Sequence, residues 1–281
     1  SVTCRGCIFL LNRVVDYHGG AISSIGTAGS LNVERTLFVQ NTTDSGNGGA
    51  IFTDEPYTFV RRSYFTGNTA PGDGSALYLS GLHLPPLSTR EAVVENNYIV
   101  DNPTPAVVPD AEEAAPANVE EPLGPEGPPA NGSSLYAESI TAYLKHNTFA
   151  HQTQLYHFGV LTDADATVHM TNNILTNFSV AFHRSTSGTG AAYASHTLFW
   201  NNLHDYGTGV LISTNEVHGD PAFVGGTNYE LTAPSAAINA GTDAGVYVDY
   251  FGGSRPWGGG FEIGAEEYPR RERIYLPVVM R

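Results

Sequence analysis

Along the chain, hydrophobic and polar positions alternate in short runs. Ala166, Val168 and Met170 set against Thr167, His169 and Thr171 keep the period of two expected of a half-buried strand. Leu31, Val33, Arg35 and Leu37 against Asn32, Glu34, Thr36 and Phe38 keep it only in part. No window holds apolar residues at i, i+3, i+4 and i+7 for three turns, so the elements expected are strands. One phrase is repeated. Gly19-Gly20-Ala21-Ile22 is followed by Thr36-Leu37-Phe38-Val39-Gln40-Asn41, and Gly48-Gly49-Ala50-Ile51 by Ser63-Tyr64-Phe65-Thr66-Gly67-Asn68. A repeat of this length predicts one supersecondary unit stacked on its own copies.

Aligned on its aromatic or branched residue, the phrase gives a column Phe9, Phe38, Phe65, Ile99, Phe149, Leu175 and Phe199, spaced by 29, 27, 34, 50, 26 and 24 residues. Three places later stands Asn12, Asn41, Asn68, Asn102 or Asn202, with Gln152 and Phe178 in the other two copies. A second column, Ile22, Ile51, Leu77, Val160, Phe182 and Val210, follows the Gly- or Ser-rich steps. Short strands, Gly- and Asn-rich turns and this period predict an all-β solenoid, each coil contributing two or three strands to parallel sheets. The recurrent Asn suits a coil corner: it tolerates left-handed dihedrals and bonds to its stacked equivalents as a ladder. Every repeated residue thus has a folding role.

Two stretches leave the pattern. Residues 103–132 carry eight prolines among acidic residues and read as a loop extruded from one corner, which accounts for the spacing of 50. From Gly219 the coil period ends. The division expected is a parallel β-helix over 1–218, with the acidic Pro-rich insertion, and a C-terminal capping segment and tail over 219–281. An open solenoid end exposes sheet edges and needs an atypical segment to cover it. Asp220 and Asp249 are expected to fix turns there, with Arg255 pairing to one of them, and Ile274 to Met280 reads as a final β-type run.

Composition narrows the partners. Lys+Arg 13 against Asp+Glu 28 gives a formal charge of -15, which disfavours nucleic acid and anionic membranes as partners. No apolar run approaches the length of a transmembrane helix, so the chain is not expected to be embedded in a membrane. Any signal peptide is expected to have been removed already. Cys4 and Cys7 lack the further ligands of a zinc site and read as a local disulfide or as two buried thiols; the disulfide would favour an extracellular compartment.

Asp220-Pro221-Ala222-Phe223, Tyr229-Glu230-Leu231, Pro234 to Gly241, Asp249 to Arg255 and Glu262 to Glu267 resemble the closing segment of bacterial secreted right-handed parallel β-helix repeat proteins. The Gly-Gly-Ala-Ile and Phe-x-x-Asn pairs also resemble the repeats of polymorphic outer-membrane adhesins. The resemblance implies a right-handed parallel β-helix with an irregular C-terminal cap, export and a surface role. It covers polysaccharide lyases and hydrolases as well as members without known activity.

Lyases of that fold imply bound calcium and a basic residue that removes a proton beside a uronate carboxylate. The candidates here are Asp163, Asp165 and Lys145, the only lysine, with the mid-body arginines Arg61, Arg62, Arg90 and Arg184. His169 and His196 lie 27 apart, about one coil, and would stack on one face as an acid–base or metal group. Glycosidase chemistry needs two carboxylates, and Asp163 with Asp165 is the mid-body pair. Tyr136, Tyr143, Tyr156, Tyr193, Trp200 and Tyr206 are candidates for a sugar-stacking strip. Three readings follow. The first is an extracellular structural or adhesive surface protein without catalytic activity or cofactor. The second is a calcium-dependent lyase or hydrolase of an acidic polysaccharide, and the third a non-catalytic carbohydrate-binding module. Partners expected are polysaccharide, other cell-surface proteins or further copies of the chain.

Overall fold

The computed structural model describes residues 1–83, 89–103, 132–163, 165–185, 188–207, 209–212 and 215–269. Most of the acidic insertion and the run Ile274 to Met280 lie outside the described residues. All described elements are strands, wound into a right-handed parallel β-helix.

Each rung begins with a strand in an eight-stranded parallel sheet that takes Val2–Arg5, Ser30–Glu34, Tyr57–Arg61, Glu91–Glu95, Thr141–Lys145, Thr167–Thr171, Ala191–Ser195 and Val210–Ile212 in order. The second strand carries the Phe column: Phe9, Phe38, Phe65, Ile99, Phe149, Leu175 and Phe199 pair in unbroken register. The third carries Ile22, Ile51, Leu77, Leu135, Val160 and Phe182. In rungs five and six the second and third strands run on as Thr148–Asp163 and Ile174–Arg184. Val210 does not continue the third column. The third strand of rung seven is only His204–Tyr206, with Tyr206 opposite Phe182, and Val210 starts the next coil opposite Ala192.

The core is the inward half of these alternations. Phe38 and Phe65 stack at 4.6 Å and Phe9 on Phe38 at 5.1 Å, with planes within 8°. Two corners per rung are closed by polar ladders. At the second corner Nδ2 of Asn12, Asn41 and Asn68 donates to Oδ1 of the next Asn at 2.7, 2.9 and 2.8 Å, ending on Asn102. Asn202 accepts from Phe178 N and donates to Leu175 O, so it closes its own corner apart from that run. The first corner has a ladder of its own, two places before the Phe column, where Asn97 donates to Asn147 and Asn147 to Asn173, each at 3.0 Å. Thr36 and Ser63 hold the same place in earlier rungs.

The Gly-Gly step is dictated by proximity. Gly48 has φ +70°, and a Cβ on Gly49 would lie 2.2 Å from Ser75 O. Cys4 and Cys7 are bonded to each other across the first corner of rung one.

The irregular C-terminal segment lies along the flank of the coil. Its landing points are the first-corner residues with left-handed backbone, Arg62, Asn96, His146 and Asn172, whose φ values are 52, 55, 52 and 57°. Their side chains donate to the carbonyls of Tyr250, Val248, Glu262 and Thr242 in that order. A left-handed residue turns its side chain out of the sheet line, which leaves a row of donors for a passing strap. Apolar contacts fill the space between: Tyr98, Val100 and Ala150 against Tyr229 and Ala265, and Ile174 and Leu198 against Leu231, Ala237 and Ile263.

Arg255 sits at the centre of the strap, 4 % exposed, bonded to Glu267 at 2.6 Å and to Asn96 Oδ1 at 3.0 Å. Asp249 instead receives the backbone N–H groups of Gly253 and Glu267, and Asp220 that of Ala222. Glu262 is fully buried, and neither carboxyl oxygen meets an N–H or O–H donor among the described residues. Burial, and then the adjoining Glu267 carboxylate, push Glu262 up to about 9, so at neutral pH it is protonated.

Candidate functional site

Chemistry-bearing residues fall on two outward faces and in one buried pocket. On the outward side of the third strands, Phe52, Tyr78, Tyr136, Leu161 and His183 stand in register. Tyr78 stacks on Phe52 at 5.2 Å and on Tyr136 at 4.7 Å. One step along, Ser80, Glu138 and Asp163 form a parallel polar column. Tyr78 Oη donates to Glu138 at 2.6 Å, and Tyr136 Oη to Asp163 at 3.1 Å. Each phenol thus leans on the carboxylate one rung further on, and burial followed by the neighbouring negative groups raises both phenols above their ordinary value. Asp73, on the turn before Leu77, shares the field. Burial, then Asp163 and Glu138, push it up to about 6, near the range where a carboxyl exchanges protons at neutral pH. The sequence marks Asp73 only as part of the turn Pro71-Gly72-Asp73-Gly74.

The first sheet presents Phe59, Val93, Tyr143, His169 and Tyr193 outward in one column. His169 lies between Tyr143 and Tyr193 at 5.2 and 4.9 Å, with both interplanar angles 12°. Rings coplanar with the sheet would overlap at this separation. These rings therefore stand on edge and spend their faces on each other. A sugar-stacking platform needs ring faces turned to solvent, and this row turns out edges. Lys145 Nζ lies 5.9 Å from the Tyr143 centroid. The Tyr156 side chain lies outside the described residues.

Asp163 is therefore on the third face, and Lys145 and His169 are on the first. Asp165 lies in the turn between the two faces, where Thr189 N and Oγ1 both donate to it at 2.9 Å. A groove of about 460 Å³ there is lined by Arg90, Glu91, Ser139, Tyr143 and Asp165. His196 occupies a first corner with φ 45° and bonds to Ser195 Oγ, so it does not stack over His169; Tyr193 does. Among the described residues no three His, Cys, Asp or Glu side chains are grouped to hold a metal ion.

The buried pocket holds His151 and His157, 3 % and 2 % exposed, with their Nε2 atoms 3.2 Å apart. His157 Nε2 is also 2.9 Å from Ser134 Oγ, and the Phe178 ring meets both imidazoles edge-on. Burial pushes His151 down to about 3 and His157 well below its ordinary value, so both rings are neutral at pH 7. The trio resembles a Ser–His pair in distance alone. All three side chains are buried.

Residues 35–54 and 62–80 each match the repeat of the Chlamydia polymorphic membrane protein family. Both matched stretches start on a left-handed corner residue, Arg35 or Arg62, and end on the third strand, at Asp54 or Ser80. They cover a small part of the chain. No curated protein and no solved structure matches it significantly.

Proposed function

We propose that this chain is a non-catalytic β-solenoid displayed outside the cell or on its surface, with a structural or adhesive role. The observation that carries the reading is the content of the repeat. The stretches that match the polymorphic membrane protein repeat contain Phe38 and Phe65 of the ring stack, Asn41 and Asn68 of the ladder and the Gly48-Gly49 step, and these residues are used up in holding one rung to the next. The side chains able to do chemistry are spread over separate faces, and the phenols, carboxylates and imidazoles of the described clusters satisfy one another. Partners of such a surface are other surface proteins, polysaccharide or further copies of the chain. No helix among the described residues is long and apolar enough to cross a membrane.

The test is to incubate purified protein with pectate, alginate and hyaluronan, with and without calcium, while following absorbance at the unsaturated-uronate band and the release of reducing ends. No product is expected, while protein-coated beads are expected to bind cells or one another. Product release dependent on Asp163 or Lys145 would overturn the reading in favour of a lyase.

A further inference from the structure

Where the strap runs out, it leaves a cleft. Tyr250 and Phe251 come down beside rungs two and three, and a cavity of about 550 Å³ opens between them and Arg35, Leu37, Arg62 and Tyr64. That volume is in the range of small-ligand sites. One wall is aromatic: Tyr250 meets Phe251 edge-to-face at 4.9 Å and Tyr98 at 4.8 Å, and Tyr98 meets Tyr64 at 5.8 Å. The other wall is basic. Arg35 and Arg62 are the left-handed corner residues of rungs two and three, which aims both guanidinium groups out of the sheet line toward the cleft.

The charge here runs against that of the chain. Arg5, Arg35 and Arg62 surround one carboxylate, Glu34. Its Oε2 takes Arg5 Nε at 2.8 Å, while Oε1 is 3.6 Å from Arg35 Nε and 3.8 Å from Arg62 Nη1. Three guanidinium groups thus gather round one carboxylate in a chain of formal charge -15, while Asp101 acts on Tyr64 from the aromatic side. At physiological ionic strength charges beyond about 8 Å are largely screened, so a ligand in the cleft meets chiefly the two guanidinium groups that line it. Planar guanidinium groups suit a carboxylate. A bare inorganic anion would leave the aromatic wall unused, and a dianion would add repulsion from Glu34.

We infer that this cleft binds a carboxylate carried on a six-membered ring, of the size of one acidic sugar residue or one aromatic acid. The carboxylate lies against Arg35 and Arg62 and the ring against Tyr250, Phe251 and Tyr64. The inference rests on the reading of the chain as a non-catalytic recognition surface, since the ligand is held and not turned over.

The experiment is saturation-transfer NMR and calorimetry on the full chain at low salt, with glucuronate, galacturonate and benzoate set against glucose, galactose and benzyl alcohol. Binding of the acids without the neutral analogues is expected. Uronates alone would identify an acidic glycan, benzoate alone an aromatic acid, and both the shared group. Arg35→Gln is the first variant, because Arg35 is exposed at its corner, and it is expected to weaken binding about tenfold. Arg35→Lys, which keeps the charge and loses the fork, is expected to fall between. Phe251→Ala tests the other wall, and an unchanged thermal midpoint certifies each fold. The inference is overturned if no acid binds, if the neutral analogues bind equally, or if neither Arg35→Gln nor Phe251→Ala changes affinity. Turnover of uronate polymers by these same variants would leave the cleft standing and remove only the non-catalytic reading.

Discussion

Replacing Asn68 by alanine is the sharpest perturbation of the solenoid itself. The side chain is fully buried and makes four hydrogen bonds: Nδ2 donates to Asn102 Oδ1 at 2.8 Å and to Phe38 O at 3.0 Å, and Oδ1 accepts from Asn41 N at 3.0 Å and Asn41 Nδ2 at 2.9 Å. Alanine removes all four. Asn41 Nδ2 keeps Phe9 O and Asn102 Oδ1 keeps Asn68 N, but Asn41 N–H is left buried without that acceptor. With roughly 1 kcal/mol for each of the other three bonds, and about 1–3 kcal/mol for the orphaned N–H, the expected cost is about 4–6 kcal/mol. The control is Asn32→Ala, an outward strand residue whose side chain bonds, among the described residues, to Ser30 Oγ, where a change within about 0.5 kcal/mol is expected. A repeat array need not unfold in one step. Urea melts are therefore paired with hydrogen exchange across rungs two to four, where protection should fall first. If Asn68→Ala costs no more than Asn32→Ala, the Asn ladder is decoration and the ring stack alone holds the rungs.

The ring stack has its own test: Phe149→Ala, at a fully buried position, is expected to cost about 3–5 kcal/mol, read as a shift of the urea midpoint at constant slope. The strap should weaken in alkali. Glu262 is neutral in the folded state up to about 9 and Glu266 up to about 8, against 4.5 when unfolded. Their favourable contribution is therefore complete below pH 4.5 and is lost as the pH climbs through those folded values. Thermal midpoints should decline from pH 5 to 9, and Glu262→Gln, neutral throughout, should flatten that decline; an equally steep decline in the variant would refute the protonated Glu262. The histidine pair acts at the other end of the scale. His151 stays neutral in the fold down to about 3 but takes a proton at about 6.5 when unfolded, so stability is lost as the pH falls below 6.5. His151→Phe is expected to remove part of that acid-side loss in the same melting series.

Much of the fold could be read from one column. Phe9 to Phe199 appear in the sequence at coil spacing because an inward ring must meet its equivalent in every rung, whatever the loops between do. The first-corner ladder escaped because its residues vary, Thr36, Ser63, Asn97, Asn147, Asn173 and Thr197. Ser63 accepts from Thr36 N and Asn97 from Ser63 N, so a small polar group that can accept from the backbone N–H of the preceding rung serves there, and only Asn97, Asn147 and Asn173 form a run of one residue type. Leu135 was hidden behind the insertion, and Val210 was misplaced because rung seven closes its third side in three residues. The route of the C-terminal segment had no local mark at all. It depends on Arg62, Asn96, His146 and Asn172, each three places before the Phe column, pointing the same way, and an Arg, a His and two Asn share no pattern of size or polarity that marks them as a row until the coil aligns them. The candidate chemistry fared least well, because faces are assigned by register. Asp163 and Asp165 are two apart in sequence, yet one caps a phenol on the third face and the other pins the turn beyond it.

The strap also bears on how the molecule would carry load. A plain stack of coils peels one rung at a time, each contributing its own small step. Here residues 188 positions apart are tied, from Arg62 to Tyr250, and further ties follow at rungs four, five and six. A pull on the first residue should therefore strip rungs one and two in low, separate steps and then meet a block in which several rungs must yield together. A force-extension trace on the full chain would show that contrast. For a molecule anchored at one end and grasped at the other, such a splint makes the outer coils the compliant part and the inner ones the stiff part.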